Sequence, residues 1–435
     1  MSKQKKGLEP ALRFPEFQGQ TSWMRFKLID VADKNVKWSF IGGPFGSNLK
    51  ASDYLKKGIR IIQLQNIGDG QFNDDYRVFT SKEKADELLA NNIYPGDIII
   101  SKMGDPVGRA CIIPETNNRY VMCSDGIRLV VDEERHSKYF IYSIINYSQF
   151  RKIIEISATG STRKRIGLAE LKKLPMFLPV KKEQQKIADC LRSIDELIIA
   201  NTNKCESFKL HKQGLMQKLF PTEGRDVPEL RLVGFDKSWE TKKFSTYIKL
   251  FRGSSPRPIS EYITKSNCGV NWIKIGDTSQ ISDFIIRSVS QRITPDGASK
   301  SRYVKKGELI LANSMSYGST YQLDIDGYIY DGWFVLREYE DFFDKQYLLQ
   351  VLNSNYIQDQ YKKLAAGGIV QNISSDIVNS VVVPKPTIEE QKKIADILNS
   401  IDELIKFESV KIETLKNYKL GLMQRLFPSF KELAI

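Results

Sequence analysis

Two histidines, His136 and His211, and five cysteines with no C-x-x-C pair leave this 435-residue chain little from which to build a metal centre. Cys111, Cys123, Cys190, Cys205 and Cys268 read as reduced, mostly structural thiols. No run of 18 or more apolar residues occurs, and the polar opening MSKQKKGLEP lacks the apolar core of a signal peptide, so a cytoplasmic protein without a membrane partner is expected. Phosphate loops of the G-x-x-x-x-G-K-[ST] and G-x-G-x-x-G kinds are absent, as are NPPF or DPPY tetrapeptides of amino-methyltransferases. GGPFG at Gly42 is a turn and not a phosphate cradle. Pro295-Asp296 leads only to Glu308-Leu309-Ile310, short of the acidic-x-Lys triplet that a nuclease of that pattern requires. These absences point to a protein that binds and positions, with no catalytic residues and no metal of its own.

What is present is a duplication. Residues 183–221, EQQKIADCLRSIDELIIANTNKCESFKLHKQGLMQKLFP, return at 390–428 as EQKKIADILNSIDELIKFESVKIETLKNYKLGLMQRLFP, with 24 of 39 positions identical at a constant offset of 207. PALRFPEF at Pro10 leads to Trp23, and PELRLVGF at Pro228 leads to Trp239, so the two halves also open alike. Hydrophobic content of 41% is enough for two or three ordinary cores. A net charge of +13 favours a polyanionic partner, and its distribution strengthens the case. Nine Lys or Arg face two Glu over residues 151–182, and seven face one over 241–274, whereas residues 183–219 carry six basic and five acidic side chains. The surplus flanks the repeat, as a footprint for nucleic acid would.

Short β-branched runs read as strands: IRIIQLQNI from Ile59, DIIISKMG from Asp97, GRACIIP from Gly108 and GIRLVV from Gly126. NWIKIGD from Asn271, ELILAN from Glu308, STYQLDI from Ser319 and GWFVLRE from Gly332 are their partners in the second half. Helical patterns follow from Ser137 and Phe343, then glycine-containing loops, SATGSTRKRIG and AAGGIVQNIS. Each half is therefore expected to be a mixed α/β domain. The boundaries predicted are a first domain at 1–181, a first long helix at 182–222, a second domain at 223–387, a second long helix at 388–430 and a tail at 431–435.

Apolar residues of the first long repeat recur in strict 4-3-4-3 spacing at Ile187, Leu191, Ile194, Ile198, Cys205, Phe208, Leu215 and Leu219, with Asn201 and Lys212 in the gaps. The second copy places Ile394, Leu398, Ile401, Ile405, Ile412, Leu415, Leu422 and Leu426 likewise, with Glu408 and Lys419 in its gaps. Such a narrow seam calls for a partner helix, and the two repeats are expected to pair antiparallel as a coiled coil, a rigid spacer between similar heads. The polar gaps favour a register in which facing residue numbers sum to 620, Lys212 opposite Glu408. Met216, Leu219 and Phe220, with Met423, Leu426 and Phe427, form an apolar cluster at each helix end, suited either to docking another protein or to capping the chain's own domains.

Taken together, proline followed by EQ-x-K-I-A-x-x-L at Pro179 with residues 183–191, and again at Pro386 with residues 390–398, resembles the specificity subunit of type I restriction-modification systems, over essentially the whole chain. The resemblance implies two target-recognition domains, each binding one half of a split double-stranded DNA site, with paired helices setting the spacing between halves. It also implies two methyltransferase (modification) subunits using S-adenosylmethionine and two motor-nuclease (restriction) subunits using ATP and Mg²⁺, none of these cofactors being bound by this chain. DNA contacts need basic or amide side chains on loops able to enter a groove. The candidates are Ser47, Asn48, Lys50, Lys102, Ser161, Thr162, Arg163, Lys164 and Arg165 in the first domain, and Arg252, Ser254, Ser255, Arg257, Asn313, Tyr317, Gln371 and Asn372 in the second. A self-contained nuclease or methyltransferase with a diverged site, and a scaffold that merely spaces two protein-binding heads, are the competing readings.

Overall fold

A computed structural model describes residues 8–161, 163–222, 225, 227–279, 281, 283–314, 318–365 and 373–429. The chain divides into two units, Met1–Ala200 with Glu413–Ile435, and Asn201–Ile412. Both are mixed α/β.

In the first unit the strand Ile98–Ser101 is buried along its whole length, as an isoleucine run covered on both faces should be. It pairs antiparallel with Ala110–Ile112 on one side and Gly126–Leu129 on the other, and Phe40–Gly42 extends the sheet beyond the latter. A second sheet runs Val78–Thr80, Ile59–Ile62, Tyr120–Met122, Asn92–Ile93, its central pair parallel. Met24–Lys27 and Pro175–Leu178 make a separate antiparallel ribbon.

The second unit repeats this order. Lys249–Arg252, Trp333–Arg337, Leu309–Ala312 and Thr320–Leu323 form one sheet; Gln291–Ile293, Val270–Ile273, Gly327–Ile329 and Arg302–Val304 form the other, again parallel at its centre. Glu240–Lys243 pairs with Val382–Lys385. The length differences between the halves appear as one extra edge strand per sheet, Ile285–Ile286 and Ile263–Thr264.

The helical patterns each split in two, Lys138–Asn146 with Ser148–Ser157, and Lys345–Leu352 with Asn355–Ala365. An asparagine explains the break. Asn146 donates to the Ala110 carbonyl at 3.0 Å and accepts from the Ala110 amide at 3.2 Å, and Asn353 does the same with Thr320 at 2.8 and 3.0 Å. Each ties the end of its helix to a strand residue, Ala110 or Thr320, giving that residue's backbone groups hydrogen-bond partners.

The long helices are Lys181–Leu219 and Ile388–Leu426, each 39 residues and so about 58 Å long. The E-Q pair that opens each copy is internal fastening. Glu183 is buried and accepts from Arg13 at 2.7 and 2.8 Å and from the Trp23 indole at 3.3 Å; Glu390 accepts from Arg231 at 3.1 Å and from Trp239 at 3.0 Å. Gln184 accepts from the Ser137 amide at 3.1 Å, and Gln391 from that of Asp344 at 2.8 Å. The repeated L-R and Trp of each opening thus exist to meet the repeated E-Q.

Within each unit a piece of one long helix lies antiparallel beside a piece of the other. In the second unit Lys212 binds Asp402 at 2.6 and 2.8 Å, Lys204 binds Glu408 at 2.6 Å, and Cys205 packs with Ile401 and Ile405. In the first, Lys419 binds Asp195 at 2.6 and 2.7 Å. The residue numbers of the three ion pairs sum to 612–614, so the register summing to 620 is overturned. Its premise was that seam lysines seek seam partners; instead Lys212 and Lys419 reach carboxylates one position outside the seam, in the repeated S-I-D-E-L. Maximum overlap then strands no charge. Every apolar seam position named from sequence is buried or half-buried.

The helix ends close cores. Leu426 and Phe427 are buried in the first unit, where the Phe427 ring meets Tyr147 at 5.1 Å, Phe140 at 5.5 Å and Trp23 at 6.4 Å. Leu219 and Phe220 fill the same place in the second, with Phe220 5.9 Å from Tyr347. Of the two roles open for these clusters, capping is the one found, and each helix caps the unit that holds the other repeat's recognition domain. The amide of Leu12 bonds the Arg425 carbonyl at 2.8 Å and that of Leu230 the Lys218 carbonyl at 2.9 Å, which fixes each end in place.

Candidate nucleic-acid interface

An Asp-Gly turn organises the exposed loops of each unit. In the first, Asp125 lies between Tyr120–Met122 and Gly126–Leu129. Its carbonyl accepts the Lys102 amide at 2.7 Å and its carboxylate accepts Arg165 Nη2 at 3.3 Å. Met103 forms an antiparallel bridge to Arg165, the Lys102 carbonyl accepts the Ile166 amide at 2.9 Å, and Arg165 closes a tight hairpin with Thr159. Lys102, Ser161, Arg163, Lys164 and Arg165 are thus gathered at one place. Lys164 donates to Glu155 at 2.6 Å, a hydrogen bond that holds the Glu155 carboxyl below its usual range. Gly43 packs against the same turn, where a Cβ would stand 1.7 Å from the Cys123 carbonyl oxygen. The segment leaving it carries Ser47, Asn48 and Lys50, all exposed.

Asp331 holds the equivalent turn in the second unit. It accepts Ser255 Oγ at 2.7 Å and, through its carbonyl, Arg252 Nε at 3.2 Å; the Arg257 guanidinium stands 3.6 Å from its carboxylate with its own side chain 82% exposed. Gly253 packs as Gly43 does, a Cβ falling 2.0 Å from the Tyr330 carbonyl oxygen. Ser254 donates to the Lys300 carbonyl at 3.2 Å.

Asn313 is the candidate that the fold withdraws from the surface. It is 5% exposed, donates to the Asp331 carbonyl at 2.8 Å, and its backbone bonds Gly332 and Ile373. Its amide braces the turn from behind, which removes it from the DNA-contacting set. Thr162, Tyr317, Gln371 and Asn372 lie outside the described residues. Asp125 and Asp331 escaped the sequence reading, which sought cations and amides, although each stands directly before one of the matched strands at Gly126 and Gly332. Among the described residues no group of three or more His, Cys, Asp and Glu side chains is placed to hold a metal.

Two stretches, residues 22–207 and 237–417, match the family described as the type I restriction modification DNA specificity domain. The chain belongs to that family. It is a type I restriction-modification specificity subunit with two DNA-recognition domains. A Methanocaldococcus jannaschii protein named for the specificity subunit of type I restriction enzyme MjaX is 22% identical over 382 residues, 85% of this chain and 87% of the relative. The MjaVIII specificity subunit of the same organism is 26% identical over 302 residues, 66% of this chain and 68% of its own. The crystal structure of a type I S subunit from M. genitalium superposes with a TM-score of 0.57 at 16% identity, covering 97% of this chain and 99% of that one, so the specificity subunit shares its fold. No described helix of the subunit is long and apolar enough to cross a membrane.

Proposed function

We propose that each recognition domain binds one half of a bipartite double-stranded DNA target, and that the paired long helices act as a coiled-coil spacer that sets the distance between the halves. One observation carries this reading: basic loops gather around an Asp-Gly turn in both units, on equivalent scaffolds but with different side chains. Arg165 and Lys102 flank Asp125, whereas Arg252, Ser255 and Arg257 flank Asp331. Equivalent loops with unlike donors suit two unlike half-sites. On this reading the candidates named above, Asn313 excepted, are the DNA-contacting set.

The chain acts without catalysis, in the cytoplasm, directing both methylation and restriction. The exposed helix faces dock two methyltransferase subunits that bind S-adenosylmethionine, and two motor-nuclease subunits supply ATP- and Mg²⁺-dependent cleavage. A solved structure bearing on complex assembly and conformational transition of the type I restriction-modification system shares the fold, with a TM-score of 0.56 at 15% identity over 94% of this chain and 98% of that one. Mapping methylated adenines in host DNA with and without this gene tests the proposal. A bipartite motif should vanish with the gene, and an unchanged methylation pattern would refute it.

A further inference from the structure

The second unit holds an open cleft of about 580 Å³ beside Ser254, lined also by Arg302, Lys305, Glu308 and Arg337. Three cations face one carboxylate, and that carboxylate is spent. Glu308 accepts Arg337 Nε at 2.7 Å and the Lys305 amide at 2.7 Å. Arg302 and Lys305 have no carboxylate at ion-pair distance among the described residues. Arg302 is nonetheless held: its Nε donates to the Arg252 carbonyl and its guanidinium lies 5.7 Å from the Phe251 ring, a distance that Arg337 matches. An arginine fork anchored through Nε keeps its Nη groups for a ligand, and Lys305 adds an exposed point charge.

In the first unit the corresponding place is sealed. Asp97 precedes Ile98 as Glu308 precedes Leu309, and both strands pair with equivalent neighbours, Leu129 and Leu336. There Arg128 binds Asp97 at 2.7 Å with the two side chains only 6 and 9% exposed, and its guanidinium lies 5.2 Å from the Tyr94 ring. The acid–arginine pair recurs in both units, Asp97 with Arg128 and Glu308 with Arg337, but Lys305, whose amide bonds Glu308 as that of Tyr94 bonds Asp97, puts a free cation where the first unit has an aromatic ring.

We propose that this cleft grips a phosphodiester of the DNA backbone, Arg302 and Lys305 supplying the charge, so that the second unit holds its half-site with an anchor the first unit lacks. The assignment rests on the DNA-binding reading above. Its location fits: Ser254 and the carbonyl of Arg252 belong to the loop gathered around Asp331. Phosphate contacts fix position and carry no sequence information, so the anchor contributes to every complex the second unit makes.

The test is binding of the full-length chain to target and unrelated duplexes between about 50 and 200 mM salt. R302A and K305A should each lower the slope of log affinity against log salt by about 0.9 and weaken both duplexes by the same factor. The exposed position of Lys305 guards against misfolding, and R302K, which keeps the charge, should keep the slope. Absence of salt-dependent binding by the unaltered chain would sink the DNA reading itself. Normal binding by the unaltered chain with unchanged slopes in both variants would sink the cleft alone. Binding of inorganic phosphate that the variants lose, with their DNA slopes intact, would also overturn it, showing a site for the free anion.

Discussion

Truncating Phe427 to alanine should loosen the first unit and spare the second, although Phe427 belongs to the second repeat. The ring is 1% exposed and sits among Trp23, Phe140 and Tyr147 at 5.1–6.4 Å. Removing a phenylalanine from such a site typically costs about 3–5 kcal/mol, the lost transfer energy plus the cavity left behind. At about 1.4 kcal/mol per tenfold change, amide protection in the first unit should fall by roughly two to four orders of magnitude wherever exchange requires that core to open. Hydrogen exchange read by mass spectrometry separates the effect, because Ile98–Ser101 reports the first core and Leu309–Ala312 the second. Phe220→Ala is the mirror experiment, with Leu309–Ala312 the strand that loses protection. Loss in Leu309–Ala312 on Phe427→Ala, or loss in neither strand, would refute the view that each helix end closes the unit of the other repeat.

Two further outcomes follow from buried charge. Asp195→Lys should destabilise the first unit, and combining it with Lys419→Asp should restore at least half of the loss; a double variant no better than the single one would deny that Lys419 and Asp195 face each other. His136 is held below its usual 6.5, first by burial and then by Arg135, and its Nε2 is buried without a partner. A depressed folded value means stability that is present above 6.5 and lost as pH falls through and below it, because the unfolded chain takes up the proton first. Phe343 stands at the equivalent place, so protection in the first unit should decline on acidification while that of the second holds, and His136→Phe should flatten the decline; equal acid sensitivity of both units would count against this.

The duplication, the strands and the long helices were legible because periodicity and repetition are local properties of the chain. Ile59–Ile62 ended sooner than its apolar run suggested, because Asn66 turns back to accept the Gln63 amide. The helix register was not legible. Seam positions were compared only with seam positions, and the deciding carboxylates, Asp195 and Asp402, stand one residue outside. The candidate DNA contacts Ser47, Asn48, Arg252 and Ser254 stand beside Gly43 and Gly253, which permit a close approach to the Asp-Gly turns that any Cβ would block. Asn313 misled because an amide on a loop reads alike whether it faces solvent or braces a turn. Arg302 and Lys305 were passed over because Arg302 opens the strand Arg302–Val304 and Lys305 directly follows it, away from the loops from which candidates were drawn.

The paired fastening of Arg13, Trp23 and Glu183 with Arg231, Trp239 and Glu390 has a consequence for exchange of parts. What recurs between the halves is the clasp, and what differs is the material it encloses. A recognition cassette cut between the tryptophan and the E-Q pair would meet the same clasp in either position. Such a chain could acquire a new target by replacing one cassette with the clasp unchanged, provided the incoming cassette brings rings to meet Phe427 or Phe220 as Phe140, Tyr147 and Tyr347 do.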